Sequence, residues 1–358
     1  MAKMRVAVLF GGTSGEHEIS CISAAAVVDN MDPAQYEVFK LGITKKGRWL
    51  LYPGGTDLMR GGGWDTFADC VPAFISPDST THGIVVNQDA AFDVIKLDMV
   101  FPVLHGSGGE DGTVQGLLEL AGIPYVGCGV FASAACMDKT AANRLFEAAG
   151  LPHTPWLAAS RAHLADFDAL LANVEKNLAW PVFVKPANGG SSLGVTKVAG
   201  PEGLQDAVML ALAHGDTVVL EQGVDGHEVE CAVLGNADAF STLPGEIISC
   251  NEIYDYEAKY QSGDASRLYL PAQLPGEKLE EVRDLALRAY QALGCAGLSR
   301  VDFFVEHGTG RVLLNEINTL PGFTPISMYP KLMEAMAGLS FGRLVDKLIE
   351  LALERAGR

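Results

Sequence analysis

A chain of 358 residues, 48 % of them hydrophobic, carries enough apolar content for two or three domains, since single cores rarely grow past about 250–300 residues. The net charge of −18 lacks the basic footprint that nucleic acid or an anionic membrane surface requires, so neither is expected as a partner. Seven cysteines without a C-x-x-C pair read as core thiols of a reducing compartment, the run Val6 to Phe10 is too short for a secretory leader, and no stretch approaches the roughly 18 apolar residues of a membrane span; a cytoplasmic α/β enzyme is expected.

Val6-Ala7-Val8-Leu9-Phe10 reads as a buried strand, Gly11 to Gly15 as a tight turn, and residues 19–28 as a helix, the opening of a doubly wound domain. The turn lacks the G-x-G-x-x-G spacing, which argues against a nicotinamide dinucleotide. Glu16 in that turn has two readings: a carboxylate for a substrate ammonium, or a charge that favours the following helix N-terminus. Residues 44–91, rich in Gly, Pro and Asp, read as an insertion with short strands. Residues 98–104 repeat the strand theme and run into His105-Gly106-Ser107-Gly108-Gly109-Glu110-Asp111-Gly112, before a helix over 113–121. Ligands of such sheets bind beyond the carboxyl ends of strands, where both loops lie, so His105 is either a substrate contact or a turn residue satisfying backbone groups.

A boundary falls near residues 125–129, and residues 137–149 form a helix, with Lys139 near its start, that ends at Gly150 and Pro152. Then Pro181-Val182-Phe183-Val184-Lys185, a loop over 186–194 and a return strand over 195–198 form a hairpin. The glycines of that loop let backbone N–H groups approach phosphate oxygens, Ser191 and Ser192 add hydroxyls, and Lys185 and Lys139 supply positive charge. No G-x-x-x-x-G-K-[ST] string occurs, so this is not a Walker A loop. A strand over 217–221 leads past a second boundary near Asp225 to another over 228–233, giving domains 1–127, 128–225 and 226–358. The polar, aromatic stretch 254–271 has no clear periodicity and reads as a mobile lid or a solvated connector.

Two short strands near the end carry polar residues at every second position, Arg300-Val301-Asp302 and Asn315-Glu316-Ile317-Asn318, across a Gly-containing turn. A five-residue turn pairing Val305 with Arg311 sets Asp302 opposite Leu314 and Arg300 opposite Glu316, with all four polar side chains on one side. Two carboxylates and a carboxamide without His or Cys make an all-oxygen set suited to Mg²⁺ and phosphate. In the loop that follows, the Gly322 N–H is placed to donate to a developing oxyanion, with Ser327 nearby, and a helix over 339–355 closes the chain.

Together GGTSGEHEIS, LHGSGGEDGTVQGLLE, CMDKTAANRLF, PVFVKPANGGSSLGV, YDYEAKY, SRVDFF and NEINTLPGFT, spread from Gly11 to about Met328, closely resemble the D-alanine-D-alanine ligases of the ATP-grasp superfamily. The resemblance implies three α/β domains, an N-terminal doubly wound one and two forming the ATP-grasp fold, with ATP and two Mg²⁺ (or Mn²⁺) between the latter. It makes Asp302, Glu316 and Asn318 metal ligands, and sets Lys139 and Lys185 on phosphates under Gly190, Ser191 and Ser192. Glu221 and Glu228 fall at adenine and ribose positions, and Gln222 stands where relatives often have lysine. Glu16 matches the contact to the first D-alanine's ammonium, linked to Ser191 and Tyr260; Arg300 and Gly322 match oxyanion donors; Ser327 and Lys259 match contacts around the second substrate or transferred phosphate. A tyrosine at Tyr260 implies D-alanine as acceptor, with D-serine or D-lactate as the alternative, and relatives are commonly homodimers.

Overall fold

The computed structural model describes residues 2–88, 91–190, 193–249 and 266–358, and among these the strands form three sheets in chain order. The first is built from β1 (Met4–Gly11), α1 (His17–Asp29), β2 (Tyr36–Ile43), β3 (Trp49–Tyr52), α2 (Thr56–Gly61), β4 (Val71–Ile75), β5 (Gly83–Gln88), β6 (Ala91–Lys96), β7 (Met99–Pro102) and α3 (Thr113–Ala121). β1 pairs parallel to both β2 and β7, and its run Val6 to Phe10 is fully buried, as befits a central parallel strand covered on both faces. The strands of the 44–91 stretch do not form a separate appendage. They continue the sheet antiparallel from β2, in the order β6-β5-β4-β3-β2-β1-β7.

Two helices, α4 (Val130–Met137) and α5 (Lys139–Ala148), lead to the second sheet. The single helix expected over 137–149 is broken at Asp138, whose extended backbone and carboxylate, accepting from the Thr140 and Ala141 N–H groups, cap α5. The second sheet comprises β8 (Trp156–Ser160), β9 (Val182–Pro186), β10 (Thr196–Val198) and β11 (Thr217–Gln222), with α6 (Phe167–Asn177) and α7 (Leu204–Ala211). Its order is β10-β9-β11-β8, antiparallel throughout. The third contains β12 (Gly226–Gly235), β13 (Phe240–Ser241), β14 (Gly245–Ser249), β15 (Ser266–Tyr269), α8 (Gly276–Ala292), β16 (Gly297–Glu306) and β17 (Val312–Asn318). Helices α9 (Met328–Ala337) and α10 (Phe341–Arg355) follow. β15 falls inside the stretch expected to be an irregular lid and is instead a strand paired with β14.

The packing divides the molecule unevenly. Phe10, Met99 and Phe101 of the first sheet share one continuous core with Leu234 and Leu298 of the third and with Leu332 and Leu348 of α9 and α10. The second sheet has its own core, built on Val182, Val184, Val208 and Leu220. First and third units are therefore one apolar block, against which the second stands as a separate layer.

Candidate active site

A cavity of about 940 Å³ opens among the three sheets, lined by Glu16, Lys139, Lys185, Glu221, Arg300 and Glu316, among others. His105, Gly190, Glu228, Asp302, Asn318, Gly322 and Ser327 line it too, so every candidate residue that is described faces this one space. Ser191, Ser192, Lys259 and Tyr260 lie outside the described residues. Gly190 lines the cavity, as do Ile247 of β14 and Leu268 of β15.

One wall comes from the carboxyl ends of β1 and β7, the switch point of the first sheet. Gly11 ends β1 at φ +87°, and a Cβ there would sit 2.2 Å from the Ile43 carbonyl oxygen, so only glycine allows the turn. That turn delivers Glu16 to the first position before α1, where its side chain makes no capping hydrogen bond to the helix. Instead the carboxylate lies between two glycines: a Cβ on Gly106 would come within 2.9 Å of Glu16 Oε2, and one on Gly190 within 3.0 Å. The glycine loop of the second sheet thus closes directly on the acidic residue of the first.

His105 is buried and both ring nitrogens are engaged, Nδ1 with the Leu320 carbonyl at 3.1 Å and Nε2 with Ser23 Oγ at 3.2 Å. A carbonyl only accepts, so Nδ1 carries the proton, and burial holds the imidazole pKa below its ordinary value despite the charge of Glu16. Glu110, assigned no role from the sequence, accepts from the Gly106 N–H at 2.6 Å and the Leu320 N–H at 3.3 Å. Burial, followed by the Glu16 charge, pushes its carboxyl up to about 8. Glu110, His105 and Ser23, which accepts from the Phe323 N–H, fasten the Gly322 loop to the first sheet. Ser327 Oγ is held in that loop's turn by the Thr324 N–H at 3.0 Å.

The second wall carries the lysines. Lys139 Nζ donates to the Gly189 carbonyl at 2.8 Å and so tethers the glycine loop to α5. Lys185 on β9 meets Glu221 on β11 at 2.5 Å. Burial works against the ammonium, but Glu221, with Glu316 and Glu228 beyond it, more than offsets this and raises the pKa above that of an ordinary lysine. Gln222, where a lysine is common in the family resembled, accepts through Oε1 from the Ala179 N–H at 2.9 Å.

The third wall is the β16–β17 hairpin, and its register differs from the expected one. The turn pairs Glu306 with Arg311, setting Val305 opposite Val312 rather than Arg311 and Phe303 opposite Leu314. Continued unbroken, that pairing would turn Glu316 and Asn318 away from Asp302. A bulge at Asn315 restores the parity, with Asp302 opposite Glu316 and Arg300 opposite Asn318. All four side chains therefore share a face, as expected, through different partners. On the other side β12 pairs Glu230 with Asp302, which completes a row Glu230, Asp302, Glu316 across three strands. The sequence signal that marks Glu230 is its two-residue spacing from Glu228 on one strand.

Arg300 donates through Nε to Asp302 Oδ1 at 2.8 Å and through Nη2 to Oδ2 at 2.6 Å, and its Nε also lies 2.9 Å from Glu230 Oε2. Burial opposes the guanidinium charge, while Asp302 and Glu230 hold its pKa well above the usual value. Asn318 Nδ2 donates to Asp302 Oδ2 at 3.0 Å. Among the described residues no three His, Cys, Asp or Glu side chains are gathered as for a metal held by protein alone. Two carboxylates and a carboxamide at the edge of a cavity that also holds two lysines fit an Mg²⁺-type ion completing its shell with phosphate oxygens and water.

Comparisons with known proteins give the family. Residues 5–128 match the family model for the D-Ala-D-Ala ligase N-terminus and residues 145–350 that for the C-terminus. The D-alanine–D-alanine ligase of Caldicellulosiruptor bescii is 49 % identical over 356 residues, covering 99 % of this chain and 96 % of the relative. That of Thermoanaerobacter sp. strain X514 is 48 % identical, covering 99 % and 98 %. Among solved structures, the VanG D-Ala:D-Ser ligase of Enterococcus faecalis superposes with a TM-score of 0.89 at 39 % identity, covering 98 % of this chain and 100 % of its own. The D-alanine-D-alanine ligase of Coxiella burnetii gives 0.85 at 34 %, covering 100 % and 96 %. With both ends of the family pattern matched and relatives aligned along nearly its whole length, the chain belongs to the D-alanine–D-alanine ligase family and has the ATP-grasp fold.

Proposed function

We propose that the protein joins two D-alanine molecules into D-alanyl-D-alanine, with conversion of ATP to ADP and phosphate, for peptidoglycan precursor synthesis in the cytoplasm. The observation that carries this reading is the meeting, in one cavity, of Glu16 from the first sheet with Lys139, Lys185 and the Arg300, Asp302, Glu316 and Asn318 face. An ammonium site, a phosphate site and an all-oxygen cation site then lie around a common space. We assign domains 1–127, 128–225 and 226–358, and a homodimer as the assembly.

In this reading ATP lies between the second and third sheets, with Glu221 and Glu228 on adenine and ribose and Gly190, Ser191 and Ser192 over the phosphates. Glu16 holds the ammonium of the first D-alanine, with Ser191 and Tyr260 closing upon it and His105 beside it. The D-alanine carboxylate attacks the γ-phosphate, and Lys139 and Lys185 neutralise charge spreading over the phosphoryl oxygens. Two Mg²⁺ or Mn²⁺ ions held by Asp302, Glu316 and Asn318 would add Lewis-acid neutralisation there. The amine of a second D-alanine, with Ser327 and Lys259 around it, attacks the carbonyl of the resulting acylphosphate. Arg300 and the Gly322 N–H stabilise the tetrahedral oxyanion before phosphate leaves. Water would destroy the acylphosphate, and the glycine loop packed on Glu16 supports a closed site.

The likeness to VanG brings D-serine in as the alternative acceptor, but the D-alanine–D-alanine ligases of Caldicellulosiruptor bescii and Thermoanaerobacter sp. strain X514 share more identity with this chain, at 49 % and 48 % against 39 % for VanG. Incubation with ATP, Mg²⁺ and D-alanine, with D-serine, D-lactate and L-alanine in parallel, tests the assignment. Phosphate release matched by D-alanyl-D-alanine, identified by mass, supports it. Comparable incorporation of D-lactate or D-serine at neutral pH contradicts the acceptor choice.

A further inference from the structure

Asp302 has two claims upon it. Both its oxygens accept from Arg300, at 2.8 and 2.6 Å, and Oδ2 accepts from Asn318 as well, yet the same carboxylate is the candidate cation ligand. A carboxylate gripped at both oxygens by a guanidinium is a poor ligand until that grip loosens, and a buried guanidinium that loses its partner is strongly destabilising. Glu230 stands where the exchange needs a second anchor. It is the register partner of Asp302 on β12, its side chain is 12 % exposed, and its Oε2 lies 2.9 Å from the same Nε that donates to Asp302. The Nε–H is directed at Asp302 Oδ1, and the 2.9 Å separation puts Glu230 Oε2 within hydrogen-bond reach of the same nitrogen.

We propose that Glu230 is a positioning residue that takes over the Arg300 guanidinium when Asp302 turns to a divalent cation. Arg300 then stays in place as an oxyanion donor while Asp302 is released to the metal. The inference rests on the proposed roles of Asp302 and Arg300 and adds to them a residue and a reason for its position. It also gives a purpose to the row Glu230, Asp302, Glu316, which places like charges side by side at a cost that Arg300, Lys185 and a bound cation offset.

The test compares Glu230→Gln, which keeps the shape and removes the charge, with Glu230→Asp, which keeps the charge and withdraws it from Nε. Two readouts apply: Mn²⁺ affinity of the ADP complex, followed by electron paramagnetic resonance without turnover, and the ratio of phosphate released to dipeptide formed. Both variants are expected to bind Mn²⁺ about tenfold more weakly and to release phosphate in excess of dipeptide, because an unanchored Arg300 leaves acylphosphate to water. Wild-type affinity and a ratio of one in both variants overturn the proposal, as does loss in Glu230→Gln with wild-type behaviour in Glu230→Asp, which assigns the effect to charge at a distance. Asp302→Asn serves as the control. If it leaves Mn²⁺ affinity unchanged, the cation-site reading has failed; if it weakens Mn²⁺ while the Glu230 variants do not, the Glu230 proposal alone has failed.

Discussion

Replacing Lys185 with methionine removes one member of a buried ion pair in the second sheet. The Lys185 and Glu221 charges are 2.5 Å apart and their side chains are 17 % and 6 % exposed, so little solvent screens them. Breaking such a pair leaves an uncompensated buried charge, which costs about 3–5 kcal/mol; because Lys185 borders a cavity that admits water, about 3 kcal/mol is the expected loss. With an unfolding entropy of about 2.1 cal/mol/K per residue, roughly 1.3 °C per kcal/mol for a chain of this length, this lowers the melting temperature by about 4 °C. Trp156, register partner of Glu221, makes tryptophan fluorescence a suitable probe of unfolding in this sheet. The converse change, Glu221→Gln, costs less, about 1 kcal/mol, because Lys185 retains the charges of Glu316 and Glu228. The sign with pH follows from the raised Lys185 pKa: the stability it contributes is fully present below the ordinary lysine value and is lost as pH rises through the raised folded one, so the gap to wild type narrows only at strongly alkaline pH. A gap below about 1 kcal/mol at neutral pH would show that the pair behaves as a solvated surface bridge and refute the reasoning.

Other changes separate the walls of the cavity. Glu316→Gln removes a charge from the cation face and is expected to lose most ATP turnover with an unchanged melting curve; unchanged turnover would take Glu316 out of the cation site. Glu16→Ala should weaken D-alanine binding far more than ATP binding in calorimetric titrations, and equal losses would count against its role. Glu110→Gln addresses the buried carboxyl pushed up to about 8. A raised carboxyl contributes stability that is fully present below its unfolded value and is lost as pH rises through about 8. Wild-type urea midpoints should therefore fall between pH 5 and 8 relative to the variant, and parallel profiles would contradict the burial argument.

Much of the site was legible because its signals are local. The apolar run at β1, the glycine turn before Glu16 and the alternation in Arg300-Val301-Asp302 each declare a strand, a turn or a face from a few residues. The hairpin register was not legible, because it depends on a turn one residue off the expected pairing and on a bulge at Asn315 that no composition marks. Glu110 is not legible for a different reason: its neighbours Gly106 and Leu320 come from different units, and a long-range burial has no periodicity. Glu230 had the same alternation as Glu228 but faces Arg300 only through the pairing of β12 with β16. The shared core of the first and third units is likewise invisible in a linear division of the chain, since it joins Phe10 to Leu298 and Leu348.

The central claim is that the first D-alanine is activated by phosphoryl transfer to its own carboxylate inside the cavity bounded by Glu16, Lys185 and Glu316. Turnover of D-alanine labelled with ¹⁸O in both carboxylate oxygens tests it directly, by mass analysis of phosphate and dipeptide. One ¹⁸O in each phosphate released, with the other retained in the new peptide carbonyl, is the predicted result; dipeptide formed with unlabelled phosphate would contradict the account.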